Sequence, residues 1–371
     1  MNNQRWLLVP GYCAGFTNNF MSLQLAVVLA HLTSRVLVPF NFRIRGRHPS
    51  PSGSDPKRVP LALVPDLFDI PLPWVEEYLD HKPEPAWGAT VCHWPNLING
   101  VFVSSPDLLE DKPRLAAFRN GRPHLCTFAP EHEDAEALLI RGDTLGHYSH
   151  FFYLHETQRL EVIELMKRLT PKEPYRWLAW HIANDLGRYN AVHIRRTDFI
   201  SLQFTPRAFK VSGEEICRNL LTRLDTQVPL VVCTDSPADD PIFLAIKREF
   251  KTVIFLEHLL EQDPRIVSSR HGLPGNDEGV VVLLTQLVAS YAEVFVGTLY
   301  STFTAMIHRL RGFDGRGEPF LYCYSDFDAS VPFERCEFIE SREGPFSWNR
   351  TRYPVSPMAY TWMREWPEAF R

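Results

Sequence analysis

The stretch Ala191-Val192-His193-Ile194-Arg195-Arg196-Thr197-Asp198 begins as a mostly apolar segment and ends in charged residues. A short apolar run of this kind predicts a strand at 191–195 that is buried on both faces of a parallel sheet. Strands with the same pattern are predicted at 229–234, 252–256 and 294–297. Helices are predicted between and after them, at 212–224, 238–250, 279–291 and 301–310. This alternation predicts a doubly wound α/β domain.

The N-terminal part shows the same alternation over a shorter span. Its predicted elements are a strand at 5–10, a loop with two glycines at 11–19, a helix at 20–32 and a strand at 36–40. Strand, helix and strand in this order form a βαβ unit, which is typical of a parallel sheet. The segment from 41 to about 135 has few clear periods and is predicted to be irregular.

The two halves are joined through a helical region. A helix is predicted at 157–169, a proline-bounded linker at 171–174, and a second helix at 177–185 that stops at Gly187. Further along, Ser212 followed by Glu215 is a capping-box pattern, which marks the start of the helix at 212–224. The chain is therefore expected to contain two α/β halves.

Composition limits the classes of function. The chain has 371 residues, 45% of them hydrophobic, and a net charge of −5. This balance argues against a protein whose main role is to coat nucleic acid or an anionic membrane. No apolar stretch approaches the roughly 18 to 20 residues of a membrane span, and the first ten residues are too short and polar for a signal peptide. The expected location is the cytoplasm.

The cysteines give no sign of a metal or disulfide framework. The seven cysteines are scattered and none forms a CxxC pair. Cys233 lies in an apolar run and is predicted to be a buried strand residue. We therefore expect a reduced, intracellular protein.

The charged end of the 191–198 stretch is the first candidate site. Ligands of open parallel sheets bind at the carboxyl ends of the strands, and Arg195 and Arg196 at such an end call for an anionic partner. Neighbouring strand residues point to opposite sides, so one arginine can face a cleft while a carboxylate, for which Asp198 is the natural choice, holds the other. From the residues alone, a phosphate site and a surface salt-bridge cluster fit equally well.

Two more predicted strands end in polar residues. Asp235 and Ser236 follow the strand at 229–234, and Ser301 and Thr302 follow the strand at 294–297. Asp235 is placed to accept from a ribose or a base, and the two hydroxyls lie where a helix N-terminus favours phosphate. Each signal alone is equally compatible with a helix cap. Three polar strand ends in one sheet together indicate a ligand site.

Other motifs are absent from the sequence. It contains neither GxxxxGK[ST] nor GxGxxG, so no motif supports a P-loop ATPase or a dinucleotide enzyme. HExxH is also missing, and the fourteen histidines show no metal-ligand spacing. No metal or other cofactor is expected.

Together these segments resemble the fucosyltransferase superfamily that includes the protein O-fucosyltransferases and the α1,6-fucosyltransferases. The match covers four places, of which 193–199, similar to the His-x-Arg-Arg-x-Asp motif, is the most specific. The others are the loop at 15–19, Thr234 with Asp235, and the stretch from Ala292 to Phe303.

The resemblance implies a fold of the GT-B type, with two Rossmann-like domains facing a central cleft. The expected domains are 1–172 on the acceptor side, 173–350 on the nucleotide-sugar side, and a tail at 351–371 for which a helix returning to the first domain is one expectation. The implied donor is GDP-fucose. The implied reaction is metal-independent and inverts the anomeric carbon, and no cofactor takes part.

The same resemblance implies roles for individual residues. Arg195 would contact the diphosphate and stabilise charge on the departing GDP. Asn18 would lie near the reacting sugar. His193 would orient the nucleotide, and Asp198 would brace the arginines. The remaining donor-binding positions implied by the resemblance are Gly15, Phe16, Arg196, Asp235, Ser301, Thr302 and Phe303.

Two departures from the family pattern keep alternatives open. Thr285 stands where the family commonly has an aspartate that reads guanine, with Gln286, Asp277 or Glu278 as substitutes. The loop at 13–15 lacks the carboxylate that some members use as a base. A glycosyltransferase for another sugar nucleotide and a catalytically silent nucleotide-sugar-binding or scaffold protein are therefore the alternatives. A protein, a glycan and a small molecule are all compatible acceptors.

Overall fold

The structure is a computed structural model that describes residues 4–10, 16–40, 67–75, 90–93, 135–141, 156–196, 211–274, 277–298, 301–316, 321–322 and 369. The chain divides into two compact units. The first is built mainly from residues up to Lys172, and the second begins at Glu173. The expected C-terminal helix at 351–371 lies outside the described residues, apart from Ala369.

The first unit contains a parallel four-stranded sheet. Its strand order is β2-β1-β5-β4, and all its pairings are parallel. A separate antiparallel pair is formed by β3 and β6. The elements are β1 (Trp6–Pro10), α1 (Phe16–Leu32), β2 (Val36–Phe40), β3 (Phe68–Asp69), β4 (Thr90–His93), β5 (Ala137–Arg141), α2 (Glu156–Arg168) and β6 (Thr170–Pro171).

Helix α1 is buried on every side, as the apolar composition of its sequence requires. Phe20, Leu23 and Val27 have no exposed surface, and Asn19 is equally buried. The helix begins at Phe16, four residues earlier than predicted. Phe16 and Asn18 therefore lie in the first turn of a helix rather than in a loop, because Phe16 and Phe20 pack against Phe68.

The second unit contains a parallel five-stranded sheet. Its order is β11-β10-β7-β8-β9, so the chain moves outward from β7 in one direction and then returns to the other side of β7. The elements are α3 (Glu173–Leu186), β7 (Asn190–Ile194), α4 (Gly213–Leu221), β8 (Leu230–Thr234), α5 (Leu244–Glu249), β9 (Val253–Phe255), α6 (Leu256–Gln262), α7 (Pro264–His271), α8 (Asp277–Tyr291), β10 (Phe295–Gly297), α9 (Thr302–Phe313) and β11 (Leu321–Tyr322).

The predicted parallel sheet is confirmed, and its central strands are its most buried part. Every residue of β7 and β8 is buried. Cys233 has no exposed surface, as predicted, and both Cys217 and Cys233 are free thiols. Near-continuous apolar strands are the expected result when both faces of a sheet are covered.

Some local predictions differ from the structure. The linker predicted at 171–174 contains the sequence boundary between the two units, but it is short, because Thr170–Pro171 forms β6 and α3 already begins at Glu173. The helix at 238–250 is split into a 3₁₀ turn at Pro241–Phe243, capped by Asp240, and the shorter helix α5. The helices α6 and α7 were not predicted. Asp263 caps α7, and Pro264 occupies its first turn, where a missing N–H costs nothing.

The predicted helix ends at Ser212 and Gly187 are confirmed. The Ser212 side chain accepts a hydrogen bond from the backbone N–H of Glu215 and begins α4. Gly187 follows α3 with φ of +69°, a conformation that glycine adopts without a steric penalty. None of the described helices combines the length and apolarity that a membrane crossing requires.

Replacing Gly187 with alanine tests this helix end. In the described part of the chain no atom lies within 4 Å of the added Cβ, so the cost comes from the positive φ alone. We expect Gly187→Ala to lower the free energy of unfolding by about 1 kcal/mol. Gly272→Ala is the matched control, because Gly272 ends α7 with φ of −81° and its Cβ would meet only the Ser269 carbonyl oxygen at 3.6 Å. Equal losses in urea unfolding of the two variants would contradict this explanation.

Candidate functional site

The candidate site lies where β7, β8 and β10 end. The strand order reverses between β7 and β10, which is the point where parallel α/β sheets leave a crevice for ligands. His193 and Ile194 end β7, and Arg195 and Arg196 follow it directly. Asp235 follows β8, and Thr298 follows β10. The structure thus brings together polar residues that are about 40 and about 100 positions apart in the sequence.

Asp235 joins the ends of β7 and β8. One carboxylate oxygen, Oδ2, lies 3.0 Å from Nη1 of Arg195, and the other, Oδ1, accepts the backbone N–H of Arg196 at 2.8 Å. Both side chains of the ion pair are largely shielded, with 20% and 18% of their surface exposed. The carboxylate that braces Arg195 is therefore Asp235, which was expected to contact a ribose or a base. Asp198, the expected brace, lies outside the described residues.

Thr298 joins the ends of β7 and β10. Its hydroxyl donates to the backbone carbonyl of His193 at 2.8 Å and accepts the backbone N–H of Arg195 at 3.0 Å. The side chain thereby continues the hydrogen-bond ladder beyond Gly297, where β10 ends. These bonds fix the backbone from which the Arg195 side chain leaves the sheet.

His193 is buried against the start of α9. Its Nδ1 lies 2.8 Å from the Thr304 hydroxyl, and its ring stacks on Phe303 with 4.5 Å between the ring centroids. Burial lowers the pKa of His193 to about 3, and the nearby Arg195 adds to this effect while Asp235 opposes it. His193 is therefore a neutral imidazole near pH 7, so it orients its neighbours by hydrogen bonding and stacking rather than by charge.

Gly297 allows α9 to approach β10 closely. A Cβ at this position would lie 2.2 Å from Cγ2 and 2.8 Å from Oγ1 of Thr304. Only glycine leaves room for this threonine, whose hydroxyl accepts the backbone N–H of Thr298 at 2.9 Å. The glycine in the sequence thus marks a packing contact of the site.

Arg196 differs from Arg195 in its contacts. Its Nε is buried and has no hydrogen-bond acceptor within the described part of the chain, whereas its backbone N–H is held by Asp235. One of the two guanidiniums is thus held by a carboxylate, as predicted. The arginine held in this way is Arg195.

The residues after β10 surround the N-terminus of α9. Ser301 is 4% exposed and occupies the N-cap position, but its side chain makes no capping hydrogen bond there. Thr302 and Phe303 are half-buried in the first turn. These three residues lie at the end of a helix whose free N–H groups favour an anion.

The positions proposed for reading a base have different exposures. Thr285 is 1% exposed and its hydroxyl donates to the Val281 carbonyl at 2.8 Å, within α8. Gln286 has no exposed surface. Glu278 is exposed in the first turn of the same helix. The side chain of Asp277 lies outside the part of the chain that the structure describes.

The N-terminal candidates belong to the first unit. Gly15 lies outside the described residues. Phe16 is 4% exposed and packs on Phe68, which makes it a core residue. Asn18 is half-buried in the first turn of α1, and its side-chain Oδ1 is buried without a hydrogen-bond partner in the described part of the chain.

Sequence reasoning missed the separate roles of Thr298, Thr304 and Glu257. The Glu257 carboxylate accepts the backbone N–H of Thr234 with both oxygens, at 3.2 and 3.3 Å, and so holds the end of β8. The available signal for Thr304 was Gly297, because a glycine at a strand end indicates a close approach by another element. Glu257 lies in a helix that was not predicted, so it left no such signal.

No protein-family model matches the chain, and no curated protein matches its sequence. The structure is similar to POFUT1 in complex with GDP-fucose, with a TM-score of 0.49, 12% identity, and coverage of 87% of this chain and 98% of that chain.

Two solved structures of NodZ are also similar. NodZ α-1,6-fucosyltransferase soaked with GDP-fucose gives a TM-score of 0.44 at 14% identity, covering 83% of this chain and 92% of that chain. Fucosyltransferase NodZ from Bradyrhizobium gives 0.45 at 15% identity, covering 83% and 93%. All three TM-scores are below 0.5. Assignment of a function therefore depends on this chain's own residues.

Substitution of Gly297 tests how tightly the site is packed. We expect Gly297→Ala to lower the free energy of unfolding by about 1 to 3 kcal/mol, because the added methyl overlaps Thr304. Adding Thr304→Ser removes the nearer Cγ2 while keeping Oγ1, so the double variant should recover part of this loss. A urea double-mutant cycle measures the coupling. Strict additivity of the two single changes would contradict the proposed contact.

Proposed function

We propose that this chain is a glycosyltransferase that transfers fucose from GDP-fucose to an acceptor hydroxyl, without a metal and with inversion at the anomeric carbon. The observation that carries the proposal is Arg195, which follows β7, a strand that borders the reversal of strand order, and which is held by Asp235 from the end of β8. The resemblance of 193–198 to the His-x-Arg-Arg-x-Asp motif supports the choice of a nucleotide-sugar donor.

Arg195 has the properties that a diphosphate ligand needs. Its ion pair with Asp235 is made through Nη1. A guanidinium carries five N–H donors in a planar fork, a geometry that suits the oxygens of a phosphate. Because the side chain is held before the ligand arrives, less conformational freedom is lost on binding. Partial shielding from water also strengthens its attraction for an anion.

The same residue supplies the main catalytic effect in this proposal. When the bond between fucose and the β-phosphate breaks, negative charge grows on the departing GDP. Arg195 donors that are already in place stabilise this charge, which is the task that a divalent cation performs in many other transferases. Ser301 and Thr302, at the N-terminus of α9, add hydroxyl and backbone donors on the same side of the sheet.

A different nucleotide sugar is the second candidate donor, and Thr285 favours it. An aspartate reads guanine by accepting its N–H donors, whereas a threonine has only one hydroxyl. That hydroxyl is buried here and donates to Val281 within the helix. Glu278 is exposed on this helix. We propose it as the carboxylate that takes over guanine recognition if the donor is GDP-fucose.

Nucleotide binding separates these proposals. We expect GDP at about 100 times its Kd to raise the melting temperature by roughly 5 to 10 °C, with smaller effects of UDP and ADP, because the proposed donor carries guanine. Differential scanning fluorimetry with the three nucleotides and their sugar conjugates measures this. A larger shift with UDP or ADP would favour the second candidate. No shift with any nucleotide would overturn both transferase proposals, and binding without hydrolysis or transfer would favour a nucleotide-sugar-binding or scaffold protein.

Removal of the Arg195 side chain tests its catalytic role. We expect Arg195→Ala to lower the rate of GDP release from GDP-fucose by about 100-fold or more, because the charge on the leaving group loses its principal donor. Arg248→Ala is the matched control, since Arg248 is also an ion-paired arginine of the second unit but is 60% exposed and bound to Glu214. Circular dichroism checks that both variants are folded. Full activity of folded Arg195→Ala would rule out the assigned role.

A further inference from the structure

The Thr304 hydroxyl occupies the centre of the buried network behind the proposed site. Thr304 has no exposed surface, and its Oγ1 meets two nitrogens, the backbone N of Thr298 at 2.9 Å and Nδ1 of His193 at 2.8 Å. Within the described part of the chain the hydroxyl has no other hydrogen-bond partner. The position of each proton in this group can therefore be assigned by counting donors and acceptors.

The contact with the Thr298 backbone fixes one role of the Thr304 hydroxyl. The N–H of Thr298 can only donate, so Thr304 Oγ1 accepts this bond. The hydroxyl still has its own proton, and leaving a buried donor without an acceptor costs free energy. Within the described part of the chain, His193 Nδ1 is the acceptor within reach of this hydroxyl. A neutral imidazole that accepts at Nδ1 carries its proton at Nε2.

We propose that Thr304 is a positioning residue that fixes His193 as the Nε2–H tautomer and holds its ring against Phe303, beside the backbone of Arg195. The proposal rests on the function proposed above. Burial lowers the pKa of His193 to about 3, so the imidazole is neutral at working pH. Its single ring proton must therefore lie on either Nδ1 or Nε2. His193 then carries a donor, not an acceptor, at Nε2.

The network ties this tautomer to the arginine. Thr298 accepts the backbone N–H of Arg195 and donates to the carbonyl of His193, while its own N–H is held by Thr304. Thr304 thus contacts His193 directly and supports the Arg195 backbone through Thr298. A hydroxyl at 304 is needed for both effects, because a methyl in its place neither donates nor accepts.

The tautomer can be observed directly in the unaltered protein. In protein labelled with ¹⁵N-histidine, long-range proton–nitrogen spectra distinguish a protonated from an unprotonated ring nitrogen, and His193→Gln identifies the His193 signals by their loss. We expect Nε2 protonated and Nδ1 unprotonated between pH 6 and pH 8. A protonated Nδ1 in the wild-type protein would overturn the proposal without reference to any activity.

Substitutions then test the link to function. We expect Thr304→Val to lower kcat/KM for GDP release from GDP-fucose by about tenfold or more, because it leaves both the Thr298 N–H and the His193 Nδ1 without a partner. The same variant should give a mixture of His193 tautomers. Thr304→Ser retains the hydroxyl and should preserve the single tautomer and keep kcat/KM within about threefold of the wild-type value.

Ser290→Ala is the matched control for loss of a buried hydroxyl. Ser290 is 2% exposed and its hydroxyl donates to the Leu287 carbonyl, so its removal changes stability without touching His193. If Thr304→Val does not fold, Thr304→Ala makes the same comparison with a smaller side chain. Wild-type tautomer and kinetics in a folded Thr304→Val or Thr304→Ala variant would overturn the proposal.

The failure of this proposal is distinguishable from failure of the proposed function. If the wild-type protein binds no nucleotide, the function fails, while the histidine spectra still decide whether Thr304 sets the tautomer. If the wild-type protein releases GDP from GDP-fucose and loss of the Thr304 hydroxyl changes neither spectrum nor rate, the function stands and the positioning role fails.

Discussion

The ion pair between Arg195 and Asp235 joins two strands that the rest of the second unit is built around. β7 and β8 are buried along their whole length, so the charged residues that follow them emerge from an apolar layer. A guanidinium at such a place needs a partner, because desolvation of an unpaired charge is costly. Asp235 meets this need with one oxygen and holds the next backbone N–H, at Arg196, with the other. The geometry of the strand ends follows from this double contact.

The setting of this pair distinguishes it from the other ion pairs of the unit. Arg188 and Glu293 also form a close pair, but their side chains are 68% and 46% exposed. Water and salt weaken such a pair, which contributes little to stability. The Arg195–Asp235 pair is shielded from most of the solvent. Solvent would therefore screen its attraction for an anion less than at an exposed site. In the proposed function, this burial strengthens the interaction of Arg195 with the diphosphate.

The sequence predicted the strands of this site better than the contacts at their ends. Continuous apolar runs placed β7, β8 and β10 to within one residue at each end, because burial on both faces has a local signature. The choice of Asp198 as the brace followed proximity in sequence, whereas Asp235 reaches Arg195 across a parallel pairing that sets Ile194 beside Thr234. The Thr304 contact spans more than one hundred positions, and no local pattern encodes such a pair. Helices α6 and α7 were not predicted, because they are short and contain too few apolar positions to show a helical period.

In the proposed function, the residues that bind the diphosphate differ from those that recognise the base. The strand-end network fixes His193, Arg195 and the start of α9 through hydrogen bonds made within the protein. Folding has therefore already ordered these groups, and the proposed diphosphate contact needs little further reorganisation. Every nucleoside diphosphate presents the same phosphate chemistry to this edge. Discrimination between bases must come from elsewhere, and Thr285 is buried with its proton already used. In the proposed function, the exposed carboxylate of Glu278 on α8 is the group assigned to base recognition.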